Sequence, residues 1–234
     1  MDKTNKFKVT SKKKYIPKII WAVLAILAAI FIIRVALWEK SYYESKEGSE
    51  RAIAPAVGDM NPAAVEVDET DVTETQKNEY KVAANRPRYI TIEKIGVYNA
   101  RIVEISINQN SQLDTPVSIF DAGWYNESSI PGTGGVSIFD GHNGGPTKVG
   151  IFKNLPKLIA GDIITIEMGN GEKFNYRVYE NKTVALDKAD AEMKNMRITP
   201  VQGTESISII SCTGDWSDVQ KTYLSRQFLR ATRI

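Results

Sequence analysis

The chain has 234 residues, 42% hydrophobic and 25% charged, with a formal net charge of +2; these proportions exclude a wholly disordered chain, a collagen and a coiled coil. A single cysteine, Cys212, and a single histidine, His142, exclude an intramolecular disulfide and a zinc site of four Cys/His ligands. The small net charge averages three unlike regions: residues 1–38 carry eight basic groups against one acid, residues 39–84 carry eleven acids against five basic groups, and residues 85–234 are close to balance. No basic patch on the folded part therefore points to nucleic acid as a partner.

Residues 1–18 form a basic head ahead of fifteen unbroken apolar residues, Ile19 to Ile33, and the run resumes after Arg34 as far as Trp38. Twenty residues at about 1.5 Å each span roughly 30 Å, one hydrocarbon core. Trp21 and Trp38 sit near the two boundaries, and the seven lysines of the head predict that it stays in the cytoplasm. Residues 19–38 are thus expected to be a transmembrane signal-anchor in contact with the lipid bilayer. The chain is then a single-pass cell-membrane protein with its N-terminus cytoplasmic and everything after Trp38 extracellular. A cleaved signal peptide is the alternative, but the run is long for one and no small-x-small site follows cleanly.

Residues 39–84 are acidic, rich in Glu, Asp, Ala, Thr and Pro, and lack periodicity. Like charges and little apolar surface predict a flexible extracellular linker, although a stretch such as Val65 to Val72 is able to fold over the domain that follows.

From residue 85 to 234 the pattern changes to short β-branched runs between turn residues. Strands are predicted at Tyr89–Glu93, Ala100–Glu104, Gly135–Phe139, Ile163–Glu167, Lys173–Tyr179, Ser206–Ser211 and Thr222–Thr232. Asn170-Gly171 marks a hairpin, and only Val149–Ile159 and Lys188–Met196 are suited to short helices. About 150 residues with seven or eight strands predict one all-β barrel or sandwich domain.

His142 stands where a predicted strand gives way to Asn143-Gly144-Gly145, and Cys212 closes the strand-like run Ser206–Ser211. Alone, each fits a structural role: a rim strut for the histidine, a small buried hydrophobe for the cysteine. An unpaired thiol outside a membrane is nonetheless an oxidation liability, which favours a reactive thiol or an intermolecular link. Arg226 and Arg230 share a face of the last strand, and period two alone does not choose between them. Cysteine, histidine and arginine together make a workable acyl-transfer site: the thiolate attacks, the histidine protonates the leaving amine, and the arginine orients the carbonyl and opposes oxyanion charge.

These residues resemble the sortases, membrane-anchored cysteine transpeptidases. The resemblance rests on Gly123-Trp124-Tyr125, Gly141-His142, Gly150-Ile151-Phe152-Lys153-Asn154-Leu155, Gly161-Asp162-Ile163, Ser211-Cys212, and Arg226 with Ala231 beyond it. It implies a closed β-barrel of seven to eight strands with short helices. It also implies Cys212 as nucleophile, His142 as general acid and Arg226 as the orienting arginine, with no cofactor. Its reaction is cleavage of an LPXTG-like sorting signal through a thioester, resolved by an amine of a cell-wall precursor or a pilin. Ser211 departs from the family's usual threonine. The Cys212-Thr213-Gly214-Asp215 turn resembles class F, or the related D and E groups, and no Asp-Pro-aromatic lid is evident. Calcium activation, known for some members, would draw on Asp187, Asp190 and Glu192, which also fit a solvated acidic loop. Two other readings are a non-catalytic tethered adhesin or scaffold barrel and an L,D-transpeptidase-like cell-wall enzyme, whose Ser-His-Gly-Cys signature is absent.

Overall fold

A computed structural model describes residues 28–29, 31–36, 67–109, 112–199 and 203–234. The chain divides into two units, residues 1–44 and 45–234. In the first, the described residues 28–29 and 31–36 are helical, and six residues rise only about 9 Å. No helix among the described residues is long and apolar enough to cross a membrane. This corrects the expected signal-anchor and the single-pass cell-membrane localisation built on it; the rest of 19–38, and 1–18, lie outside the described residues.

The second unit holds eight strands: β1 (Pro87–Ile92), β2 (Val97–Ile105), β3 (Ala122–Tyr125), β4 (Val136–Gly141), β5 (Ile163–Met168), β6 (Lys173–Ala185), β7 (Ser206–Ser217) and β8 (Thr222–Arg233). They close into a barrel in the order β1-β2-β3-β4-β7-β8-β6-β5. Seven of the eight were expected from alternation. β3 was not, because Ala-Gly-Trp-Tyr has no β-branched residue and all four positions are buried, which removes the period-two signal. Gly123 is needed there: a Cβ would stand 2.6 Å from Ile105 Cδ1. The Asn170-Gly171 hairpin joins β5 to β6 as expected, with Gly171 at φ +85°.

Two neighbour pairs, β2·β3 and β4·β7, run parallel. Hairpins cannot join parallel strands, so the chain must cross over a face of the sheet. The crossovers, residues 106–121 from β2 to β3 and 186–205 from β6 to β7, supply a second apolar layer outside the barrel. Leu113 from the first, and Ala189, Met193 and Met196 from the second, pack on Tyr125, Ile138, Ile210 and Phe228. The interior holds its own cluster, including Ile90, Trp124, Phe139, Phe152, Ile166, Ile209 and Leu229. β4 is consequently buried on both faces.

Helix α1 (Glu74–Glu79) lies within the stretch expected as linker. Thr73 and Gln76 form a capping box, a signature present in the sequence as Thr-x-x-Gln. The segment around it packs on the barrel: Tyr80 Oη donates to Ile102 O, Arg88 Nε to Tyr80 O, and Tyr89 Oη to Lys77 O. Asp68 bridges Ser118, so the part of Val65–Val72 that is described does lie along the domain. The remainder of the linker, 39–66, is outside the described residues. Helix α2 (Ala189–Asn195) appears as predicted. Val149–Ile159 instead forms turns and one 3-10 turn at Leu155–Lys157, since Gly150 and Pro156 interrupt any longer helix.

Candidate active site

Cys212 on β7 is paired directly with Arg226 on β8, so the two side chains share a face with Cβ atoms about 5 Å apart. On the other side, β4 runs parallel to β7 with Asp140 opposite Ile210. His142 follows directly after β4, at the same end of the sheet as Cys212. The face is the outer one, since Phe139, Ile209 and Leu229 fill the interior while Ile138, Ile210 and Phe228 meet the crossovers. Cys212 and Arg226 thus pair at the rim, ending an apolar sheet face, and His142 opens the loop that leaves the neighbouring strand there. Arg230, the competing arginine, lies four residues down β8 and is engaged by Glu180 Oε2 at 3.1 Å.

Several bonds hold the site. Ser211 Oγ donates to Gly141 O at 2.8 Å, tying β7 to β4 just inside the rim. His142 Nε2 lies 2.7 Å from Pro116 O. His142 O accepts from Phe152 N–H at 3.0 Å, and Asn143 O from Gly150 N–H at 2.9 Å. A Cβ on Gly150 would stand 2.4 Å from His142 O, and one on Gly141 would stand 2.7 Å from the Phe152 ring. The two glycine-containing motifs therefore require each other: both backbones approach too closely for a side chain.

Pro116 is in turn fixed from the N-terminal segment, where Asp68 N–H donates to Val117 O at 2.9 Å and Ile119 N–H donates to Asp68 O at 3.0 Å. Beside it, Glu69 Oε1 accepts from the Thr147 and Lys148 amides at 2.8 and 2.9 Å. These bonds hold the Glu69 carboxyl below the usual carboxylate range. Residues 68 and 69 thereby brace both loops that flank His142, a role unreadable from composition.

Arg226 is 1% exposed. Its Nη1 donates to Tyr223 O at 2.8 Å and Ser225 O at 3.1 Å, and its Nη2 to Thr222 Oγ1 at 3.2 Å. Its Nε is buried without a partner. Cys212 is half-buried by area, yet burial of the thiol pushes it up to about 11; Arg226 opposes that rise and Asp140 adds to it. Burial lowers the imidazole of His142, partly offset by its bond to Pro116 O. Near neutrality the pair rests as thiol and neutral imidazole.

One charged residue at the site was missed by the sequence reading. Asp140, two positions before His142, is 4% exposed, and burial raises its carboxyl to about 7 against hydrogen bonds from Thr115 and the Gly141 N–H and the attraction of Arg226. An acid in an apolar strand was its only sequence signal.

Of the acids considered for calcium, Glu192 is taken by Lys182 Nζ at 2.9 Å, and among the described residues no three His, Cys, Asp or Glu side chains are grouped to hold an ion. A cavity of about 340 Å³ lined by Tyr98, Arg101, Phe120, Asp121, Val149 and Lys153 includes none of Cys212, His142 and Arg226.

The sortase domain family matches residues 90–234. The chain belongs to the sortase family. Solved structures similar to this sortase include sortase C2 of pilus island 1 from group B Streptococcus, at 19% identity over 84% of this chain and 96% of that one, with a TM-score of 0.48. Sortase C-1 from Actinomyces oris is similar at 19% identity over 83% and 98%, with a TM-score of 0.49. Sortase C1 from Streptococcus agalactiae follows at 24% over 70% and 77%, with a TM-score of 0.48. No curated protein matches in sequence. Family membership makes this sortase a transpeptidase, in place of the scaffold and L,D-transpeptidase readings.

Proposed function

We propose that this sortase cleaves an LPXTG-like sorting signal through Cys212 and transfers the acyl portion to an amine of a cell-wall precursor or pilin. The observation that carries the reading is the pairing of Cys212 with Arg226 across β7 and β8, with His142 directly after the neighbouring β4, at the end of an apolar face able to receive an extended peptide. In this reading the Cys212 sulfur attacks the threonine carbonyl as its proton passes toward His142. The tetrahedral oxyanion is opposed by Arg226, whose guanidinium is already oriented by its own turn and whose Nε has a free hydrogen. His142 then gives its proton to the departing amine, the peptide bond breaks and a thioester remains. The incoming amine attacks that thioester, and the thiol is regenerated.

The test is cleavage of a quenched LPXTG-type peptide panel by the full chain, with and without a triglycine acceptor, beside Cys212→Ala. Residues 67–80 belong in any shortened protein, because they brace the His142 loops. Cleavage that is abolished by Cys212→Ala and yields a ligated product with the acceptor supports the proposal. Lack of turnover of any peptide, together with no labelling by a thiol-directed sorting-signal analogue, would sink it.

A further inference from the structure

Asp140 lies one row below the site, on the same outer face, with Ile210 and then Phe228 as its row neighbours. The preceding outward residues of β4, Val136 and Ile138, belong to the apolar layer, so a carboxylate here is out of keeping with its strand. Arg226 is equally out of keeping: it is buried, and its hydrogen bonds go to two backbone carbonyls and a hydroxyl rather than to an acid. A buried charge is costly unless compensated. Asp140 is the carboxylate whose charge bears on Arg226, and the two flank Cys212 from opposite strands. The Thr115 hydroxyl and the Gly141 N–H hold the carboxylate in place.

We propose that Asp140 is the counter-charge of Arg226 and a positioning residue that, by balancing it, keeps the Cys212 thiol protonated in the resting groove. The proposal rests on the reading of Cys212 as nucleophile. Burial is the first cause that holds the thiol up; Arg226 draws the sulfur toward the thiolate, and the buried carboxylate of Asp140 opposes that pull. The charged and titratable side chains on the surrounding elements are Tyr125 on β3, Asp140 and His142 on and after β4, Asp215 on β7, Tyr223, Arg226 and Arg230 on β8, Asp114 ahead of Pro116, and Glu192 on α2 with Glu180 and Lys182 on β6. Arg226 and Asp140 are the two whose charge acts on the thiol. Asp140 is ionised above about pH 7, so its charge is present throughout the range in which the thiol titrates. A neutral thiol is a weak nucleophile and oxidises slowly, which protects the enzyme between turnovers.

The single cysteine of the chain makes the test direct. The rate of alkylation by iodoacetamide, a neutral reagent, is measured against pH for the full chain, Asp140→Asn and Asp140→Ser. Both variants remove the charge and are expected to move the midpoint to lower pH, each pH unit of movement raising the thiolate fraction about tenfold at a fixed pH below the midpoint. An unchanged or higher midpoint in Asp140→Asn overturns the proposal. Should that variant fail to fold by circular dichroism, the same result in Asp140→Ser overturns it. No sorting signal enters the measurement, so inactivity toward peptides and an unmoved midpoint are separate failures.

Discussion

Replacing Asp140 by asparagine is expected to change how stability depends on pH, with a size set by burial. The carboxyl is raised from its ordinary 3.8 to about 7 in the folded protein, roughly three powers of ten in proton affinity. By linkage this amounts to about 4 kcal/mol at most. The sign follows from where the proton sits. Below about pH 3.8 both folded and unfolded chains are protonated at this residue, and it imposes no pH-dependent cost. Between 3.8 and 7 the folded chain retains a proton that the unfolded chain has released, so stability falls as pH rises. Above 7 the whole cost is present. Asparagine keeps a carbonyl oxygen to accept from Thr115 and never ionises; the raised value already contains the attraction of Arg226, which is smaller than the cost of burying the carboxylate. Asp140→Asn should therefore match the parent within about 1 kcal/mol at pH 4 and exceed it by as much as about 4 kcal/mol at pH 8. Guanidinium unfolding at the two pH values measures this; with a slope of about 4 kcal/mol per molar, the midpoints separate by about 1 M at pH 8. Curves whose separation is the same at pH 4 and pH 8 would refute the reasoning, because only an ionisable, buried side chain makes the difference depend on pH.

Two further outcomes follow from the rim. Peptide cleavage against pH should show a plateau flanked by two limbs: the reactive thiolate–imidazolium form gains as pH rises to the His142 value below 6.5 and is lost only as pH passes the Cys212 value near 11. As these groups are close, the limbs report macroscopic values for the pair; a narrow optimum near pH 8 would contradict the placement. Gly150→Ala puts a methyl 2.4 Å from the His142 carbonyl and should lower kcat/KM on a sorting-signal peptide at least tenfold, order-of-magnitude for a catalytic group displaced by about 1 Å. Its Cys212 alkylation midpoint should stay where it was, and retention of full cleavage would refute the mutual-approach argument.

Much of this site was legible because its parts sit where strands stop. The run Ser206–Ser211 ended by Cys212, and the run to Phe139 ended near Gly141-His142, mark strand ends by alternation and by glycine. The choice of Arg226 over Arg230 came from resemblance; in the register Arg226 faces Cys212 across the ladder while Arg230 faces Ser208. What stayed hidden depended on contacts distant in sequence. β3 forms because Ile102 to Ile105 pair with it, not because its residues favour a strand. The bracing by Asp68 and Glu69 lies in a segment whose acidity read as solvation. The apolar run 19–38 has the composition of a membrane span, but its described residues, 28–29 and 31–36, form no helix long enough to cross one.

Asp140 marks the limit of reading one strand at a time. On a half-exposed antiparallel strand, an acid among apolar residues belongs to the solvent face and raises no question. The same pattern on β4 means something else, because the connections 106–121, between the parallel strands β2 and β3, and 186–205, between β6 and β7, cover the face on which Asp140 would have met water. Parallel pairing also opens the ends of β4 and β7 at the same rim, which is how His142 and Cys212 meet across 70 residues of chain. The topology that assembles the site is therefore the topology that buries the acid beneath it, so the reactivity of the thiol and the stability of the barrel respond to one carboxylate.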